Sequence, residues 1–241
     1  MQGFFAFRAY LHAMQPLLLL HGAIGASDQL EPLAQALKGQ YKVYTIDFSG
    51  HGKEEFPKVE FSMALFAEDV LRFMNVQGIE KASIFGYSMG GYVGMYLAKY
   101  YPEKIDKVVT LATKFHWDTE TAEKETRMLN AAKIEEKLPS FASALAKRHE
   151  GKDWKDVLVR TASMLHALGA DNSLKAEHYK EIEKECMVLL GDRDKMVSLE
   201  ETLAVYQQLP NAKMGMLPGT PHPIEQVDAQ VLGFFISKFI N

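Results

Sequence analysis

Six short apolar runs recur along the chain, at residues 17–20, 43–46, 82–85, 108–112, 187–190 and 213–217. Most are apolar throughout, the pattern of strands covered on both faces. Helical spacing fills several of the gaps between them. Phe66, Val70, Phe73 and Met74 recur at i, i+4, i+7 and i+8, and Ile224, Val227, Val231, Phe235 and Phe239 form a stripe along the C-terminal segment. Ser198 followed by Glu201 three residues later reads as a capping box, opening a helix that carries Leu199, Leu203 and Tyr206. Strands alternating with helices predict an α/β protein, a mostly parallel central sheet flanked by helices.

The alternation stops between residues 114 and 184. Stretches such as "TETAEKETRMLNAAKIEEKL" and "DWKDVLVRTASMLHAL" are charged and helical, punctuated by Pro139, Gly151 and Gly169, with no convincing strand. This region reads as an all-helical cap or lid inserted between two late strands, leaving residues 1–113 and 185–241 as the core. Such a lid would overhang the carboxyl ends of the strands, where open α/β sheets take their ligands. The segment "FFAFRAYLHA" is ambiguous, an edge strand or a short hairpin without a clear turn signal.

One stretch asks for chemistry. In "SIFGYSMGGYVG" a serine, Ser88, lies between Gly86 and Gly90, after an apolar run and before a helical segment. Glycine weakens helices, so its concentration here needs a reason. A strand, a glycine-bracketed serine and a helix together form the context of a nucleophile elbow, G-x-S-x-G. The turn is tight enough that residues two positions away must lack side chains, and the helix that follows aims its N-terminal amides at developing negative charge.

With these residues the chain resembles the α/β-hydrolase superfamily over nearly its whole length. "LLLLHGAIG" is similar to that family's first core strand with its His-Gly loop, and "YTIDFSGHG" to the next strand with its Asp-x-x-Gly-His-Gly turn. "VLLGDRDKMV" and "LPGTPHPIEQV" are similar to the late strands that deliver an acid and a histidine. The order nucleophile, acid, histidine is the one this fold uses. The resemblance implies Ser88 as nucleophile and His222 as its base, on a loop stiffened by Pro221 and Pro223. Asp192 and Asp194 compete for the third role, orienting the imidazole. The family pattern places the acid three residues after the glycine that ends the strand, which selects Asp194 and leaves Asp192 as a turn former. The backbone N–H groups of Met89 and Ala23 are then the expected oxyanion donors. His21, Asp47 and His51 are expected to brace loops without doing chemistry. Met89, Met128, Met164, Met196, Phe115, Trp117 and Trp154 are either pocket lining or ordinary packing.

The implied activity is hydrolysis of carboxylic esters by a Ser-His-Asp triad through an acyl-enzyme, on a small-molecule substrate. The same triad serves other chemistries in this superfamily: carbon–carbon bond hydrolysis, perhydrolysis, and a menaquinone-pathway lyase reaction. The lyases usually carry a basic residue just after the elbow, where this chain has Tyr92. Serine at position 88, in place of aspartate, argues against a haloalkane dehalogenase. A non-catalytic ligand receptor would typically have lost a triad member, and none is lost here.

Composition narrows the rest. In 241 residues, 47% are hydrophobic and 24% charged, with a net charge of −4, which suits a globular protein and gives nucleic acid no basic stripe to bind. No apolar run approaches the roughly 18 residues of a membrane span. The N-terminus lacks the basic start of a signal peptide, its first positive charge being Arg8, so a cytoplasmic location is expected. The single cysteine, Cys186, excludes an intramolecular disulfide and reads as a buried small hydrophobe. Without H-E-x-x-H, a cysteine cluster or a dinucleotide or P-loop fingerprint, no metal and no organic cofactor is expected.

Overall fold

In the computed structural model, which describes residues 14–241, six parallel strands form one sheet. They are β1 (Pro16–Leu20), β2 (Lys42–Ile46), β3 (Ala82–Tyr87), β4 (Ile105–Leu111), β5 (Glu185–Gly191) and β6 (Ala212–Leu217), in the spatial order β2-β1-β3-β4-β5-β6. Each coincides with one of the six apolar runs. The alternation of side chains along a strand explains why these runs are continuous. Leu18, Leu20, Ile84, Val108 and Val188 enter one apolar cluster, while Leu17, Leu19, Phe85, Val109 and Leu189 enter a second on the opposite face. Helices α2 (Met63–Val76) and α3 (Met89–Tyr100) cover the first face, while α1 (Glu31–Leu37) and the C-terminal α10 (Ala229–Ile240) cover the second. The segment "FFAFRAYLHA" lies outside the described residues.

Two helical expectations are corrected in register. The capping box forms on α9 (Leu199–Tyr206): Glu201 N–H donates to Ser198 Oγ at 3.1 Å, and Ser198 N–H to Glu201 Oε2 at 3.2 Å. However, Leu199 and Leu203 are exposed, and Thr202 and Val205 face inward. The helix is rotated so that Glu201 can also accept a bond from Lys114, at 3.2 Å. The C-terminal stripe is not one helix either. Ile224–Gln226 form a separate 3-10 turn, and Asp228 starts α10 by accepting from Gln230 N–H and Val231 N–H. That restart leaves Val231 exposed and buries Leu232, Ile236, Phe239 and Ile240.

Between β4 and β5 the chain is helical, as expected: α4 (Thr119–Thr126), α5 (Ala131–Lys137), α6 (Pro139–Arg148), α7 (Trp154–Ala170) and a single turn, α8 (Ala176–Tyr179). Asp118, Asn130 and Asp153 cap α4, α5 and α7, each accepting from a backbone N–H in the first turn. Part of this insertion has its own apolar cluster, Ile134, Leu145, Trp154 and Leu158, while Val157, Met164, Leu165 and Leu168 of α7 merge with the cluster on the sheet. Its two ends are tied to α3 by Tyr92. The phenol donates to Asn172 Oδ1 and accepts from Leu174 N–H at 2.7 Å, and Asn172 Nδ2 donates to Phe115 O at 3.2 Å.

Tyr92 is 1% exposed, and removing its hydroxyl leaves the buried Leu174 amide with only its longer bond to Asn172 Oδ1, at 3.2 Å. Tyr92→Phe is expected to lower the unfolding free energy by about 1–3 kcal/mol. Urea titration measures the loss, and hydrogen exchange should rise first around residues 172–174.

Candidate active site

Ser88 occupies the turn between β3 and α3 at φ 52° and ψ −116°, a left-handed backbone rarely adopted outside glycine. Holding it there costs about 1–3 kcal/mol unless the surroundings over-determine it. They do. Ser88 N–H donates to Leu111 O at 2.8 Å, while its carbonyl accepts from Gly91 N–H and Thr113 Oγ1, both at 3.0 Å. A Cβ at Gly86 would stand 2.3 Å from Gly90 O, one at Gly90 2.3 Å from Leu20 O, and one at Gly91 2.0 Å from Thr113 Oγ1. The glycines are there because the backbone passes too close for any side chain. Met89 is the first residue of α3, so its N–H has no acceptor within the helix.

The acid and the histidine come from adjacent strand ends, since Gly191 of β5 pairs with Leu217 of β6. The two loops are stitched together: Arg193 N–H donates to Thr220 O at 3.1 Å, and Thr220 N–H to Asp192 Oδ1 at 3.2 Å. Asp192 is thereby a loop brace. Asp194 Oδ2 accepts from His222 Nδ1 at 2.8 Å, and Oδ1 accepts from Met196 N–H at 2.8 Å and Val197 N–H at 2.9 Å. Burial opposes the charge on Asp194, but the bond from His222 and the two backbone donors outweigh it, holding the carboxyl below its usual range. A bond to Nδ1–H leaves Nε2 as the proton acceptor. The ring of Tyr87, the residue before Ser88, lies 5.5 Å from the imidazole of His222, so the acid–base pair sits beside the elbow. Ser88 and His222 both keep partial exposure.

The loop after β1 runs past the same serine: a Cβ at Gly22 would come within 3.3 Å of Ser88 Cβ. This loop carries Ala23 and then Ile24, which has a φ of 53°. Around it the expected braces are in place. His21 donates from Nδ1 to Gly22 O at 2.7 Å and accepts from Phe48 N–H at 3.2 Å. Asp47 accepts from Ser27 N–H at 2.6 Å and Lys53 N–H at 3.1 Å, and His51 Nδ1 donates to Ser49 O at 3.1 Å. Burial depresses both histidines, His21 to about 4, so both rings are neutral at physiological pH. Two contributors escaped the sequence: buried Asp69, which accepts from Ser49 N–H and Oγ at 2.7 and 2.8 Å, and buried His149 of the insertion. No motif marks either one.

Of the remaining candidates, Phe115 and Met164 are packed in the sheet's apolar cluster and Trp154 in that of the insertion, whereas Met128 is exposed. Two clefts of about 330 and 310 Å³ open on the other flank of Asp194 and along α9, and Lys114 and Glu201 line both. Neither reaches Ser88 or His222, and Lys114 is already paired with Glu125 and Glu201. Cys186 is buried in β5, its thiol pushed up to about 12 by burial. Among the described residues no group of three or more His, Cys, Asp or Glu is placed to hold a metal ion, and no helix is long and apolar enough to cross a membrane.

The fold agrees with comparisons to known proteins. Residues 15–174 match the family model described as the alpha/beta hydrolase fold, and the chain belongs to that family. It is similar to 2-(acetamidomethylene)succinate hydrolase of Mesorhizobium japonicum, at 21% identity over 93% of this chain and 87% of that protein. It is also similar to Esterase YbfF of Escherichia coli, at 32% identity but over only 42% of this chain and 39% of the esterase. Among solved structures, the enol-lactonase from Burkholderia xenovorans LB400 superposes with a TM-score of 0.75 at 19% identity, covering 94% of this chain and 91% of that one.

The depressed Asp194 carboxyl has a consequence for stability. A group whose folded pKa lies below its unfolded value stabilises the fold above the unfolded pKa, and that contribution disappears as pH falls through the folded pKa. Urea titrations from neutral pH downward should show the native protein losing stability below the ordinary carboxylate range more steeply than Asp194→Asn does.

Proposed function

We propose that this protein is a serine hydrolase acting on carboxylic esters of small molecules, with Ser88 as nucleophile, His222 as general base and acid, and Asp194 as the residue that orients His222. The observation that carries this reading is the Asp194–His222 bond of 2.8 Å beside a serine held at φ 52°. A serine hydroxyl is a poor nucleophile until a neighbouring base accepts its proton. With Nδ1 committed to Asp194, Nε2 is the nitrogen of His222 left to take the proton of Ser88 Oγ.

Attack of Oγ on the ester carbonyl transfers the Oγ proton to Nε2 and moves a carbonyl electron pair onto oxygen. The N–H groups of Met89 and Ala23 are the proposed donors to that oxyanion, and each such donor is worth about 100- to 1000-fold in rate. Collapse of the tetrahedral species expels the alcohol, which takes the proton from His222. Water, deprotonated by the same imidazole, then attacks the acyl-enzyme, and a second collapse frees the acid and returns the proton to Ser88. Asp194 stays ionised throughout and stabilises the imidazolium. The helical insertion serves as a cap over this site. Ester chemistry also figures in the names of two relatives, an esterase and an enol-lactonase, a lactone being a cyclic ester.

A fluorophosphonate probe is expected to label Ser88, and p-nitrophenyl acetate to be hydrolysed at a rate that Ser88→Ala abolishes. Asp194→Asn should lower kcat by about 10⁴-fold, as loss of the orienting acid does in other triads, while Asp192→Asn stays within an order of magnitude of the native enzyme. Labelling without turnover of any ester in a series of acyl lengths would instead favour a different use of the triad. Absence of labelling would favour a ligand receptor.

A further inference from the structure

One buried polar side chain of the insertion bonds to the loop after β1. His149, at the end of α6, is 0% exposed and bonds two core loops at once: Nε2–H donates to Ile24 O at 3.1 Å, and Nδ1 accepts from Gly52 N–H at 3.1 Å. Ile24 sits in a left-handed conformation that a β-branched residue adopts only under constraint. Its side chain supplies a second tie, packing against the insertion's own cluster of Ile134, Leu145, Trp154 and Leu158. The neighbours of His149 reinforce the same seam. Arg148 Nε donates to Asp28 at 3.1 and 3.3 Å and its Nη2 to Glu225 at 3.2 Å, while Lys152 Nζ donates to Gly52 O at 2.7 Å. The rotation about the Ile24 N–Cα bond sets how the Ala23–Ile24 peptide lies relative to the carbonyl that His149 grips, and the Ala23 N–H belongs to the next peptide back, shared with Gly22.

We propose that His149 is a positioning residue for the oxyanion hole: by holding the Ile24 carbonyl and the Gly52 amide together it fixes the strained Ala23–Ile24 backbone beside Ser88, so that turnover depends on the insertion being seated. This rests on the reading of Ser88 as nucleophile and Ala23 as oxyanion donor. The chemistry requires a neutral imidazole, since a protonated ring has no lone pair for Gly52. Burial, aided by Arg148 and Lys152 and opposed by the Ile24 bond and Asp28, keeps the pKa of His149 below its ordinary value. The other rings facing it, His51 with its centroid 5.9 Å away and His21 behind it, are themselves neutral.

Two substitutions separate the bonds. Glutamine places an N–H donor near the position of Nε2 and can keep the Ile24 contact. Asparagine places an acceptor near Nδ1 but is too short to reach Ile24. With p-nitrophenyl acetate, His149→Asn should lower kcat about 10- to 100-fold, less than outright loss of an oxyanion donor, with KM within twofold of the native value. His149→Gln, which gives up only the Gly52 bond, should lower kcat less than tenfold. Hydrogen exchange by mass spectrometry should show faster exchange over residues 22–27 in His149→Asn than in the native protein or His149→Gln. The proposal is overturned by a kcat within twofold of native in His149→Asn, by an equal loss in both variants, by a loss confined to KM, or by unchanged exchange at residues 22–27. If the native protein turns over no ester, the functional reading fails while the exchange comparison still decides whether His149 holds the loop. Should His149→Asn not fold, imidazole ¹⁵N NMR of the native protein decides: a neutral Nε2–H tautomer at pH 7 supports the proposal, and an Nδ1–H tautomer or a protonated ring sinks it.

Discussion

A left-handed serine can persist at the end of a strand only if every neighbour leaves room for it and something else holds its carbonyl and amide. In this chain the room comes from Gly86, Gly90 and Gly91, at each of which an added Cβ would stand 2.3 Å or less from a neighbouring atom. The holding comes from Leu111, Thr113 and Gly91. The constraint spreads outward from there. The Leu20 carbonyl lies against Gly90, so β1 has to end where the elbow begins, and its following loop is delivered to the serine. The order of the sheet, with β3 between β1 and β4, follows the same demand, because both neighbours contribute atoms to the turn.

Such a turn can be built only on a rigid platform, and the sheet supplies one by burying strands on both faces. Alternate residues of β1, β3, β4 and β5 enter different apolar clusters, so each strand is fixed from two sides. The candidate site residues and the insertion hang from the strand ends: the loop carrying Asp194 after β5, the loop carrying His222 after β6 and the helical insertion after β4. The first two are locked to each other through Thr220, and the third is locked to the β1 and β2 loops through His149, Arg148 and Lys152. The proposed chemistry is thus assembled from loops that brace one another pairwise.

What could be read from the sequence follows the range of the interactions. The four inner strands were legible because burial on both faces leaves an unbroken apolar run, such as 17–20 or 187–190, needing no knowledge of partners, while the partly buried edge strands β2 and β6 left shorter, mixed runs. Ser88, Asp194 and His222 stood out as candidates because strained turns and strand ends impose local residue types, and the family resemblance, counted from Gly191, favoured Asp194 over Asp192. The register of α9 was not, because Leu199 and Leu203 make an apolar pattern that the distant pairing of Glu201 with Lys114 overrides. The break before α10 was signalled by Asp228, yet the apolar spacing across it reads as a single stripe. His149 and Asp69 were invisible for a further reason: one buried polar residue among charged helices has no local signature, and its partners lie 125 and 20 residues away in sequence.

In the proposed reaction the strained serine becomes covalently acylated with the help of the neighbouring imidazole. Rapid acid quenching during turnover of p-nitrophenyl acetate, followed by peptide mapping by mass spectrometry, tests it directly. A transient acetyl group is expected on Ser88, lost on further incubation and absent when His222 is replaced by alanine. Turnover with Ser88 unmodified at every time point, or a productive adduct on another side chain, would contradict it.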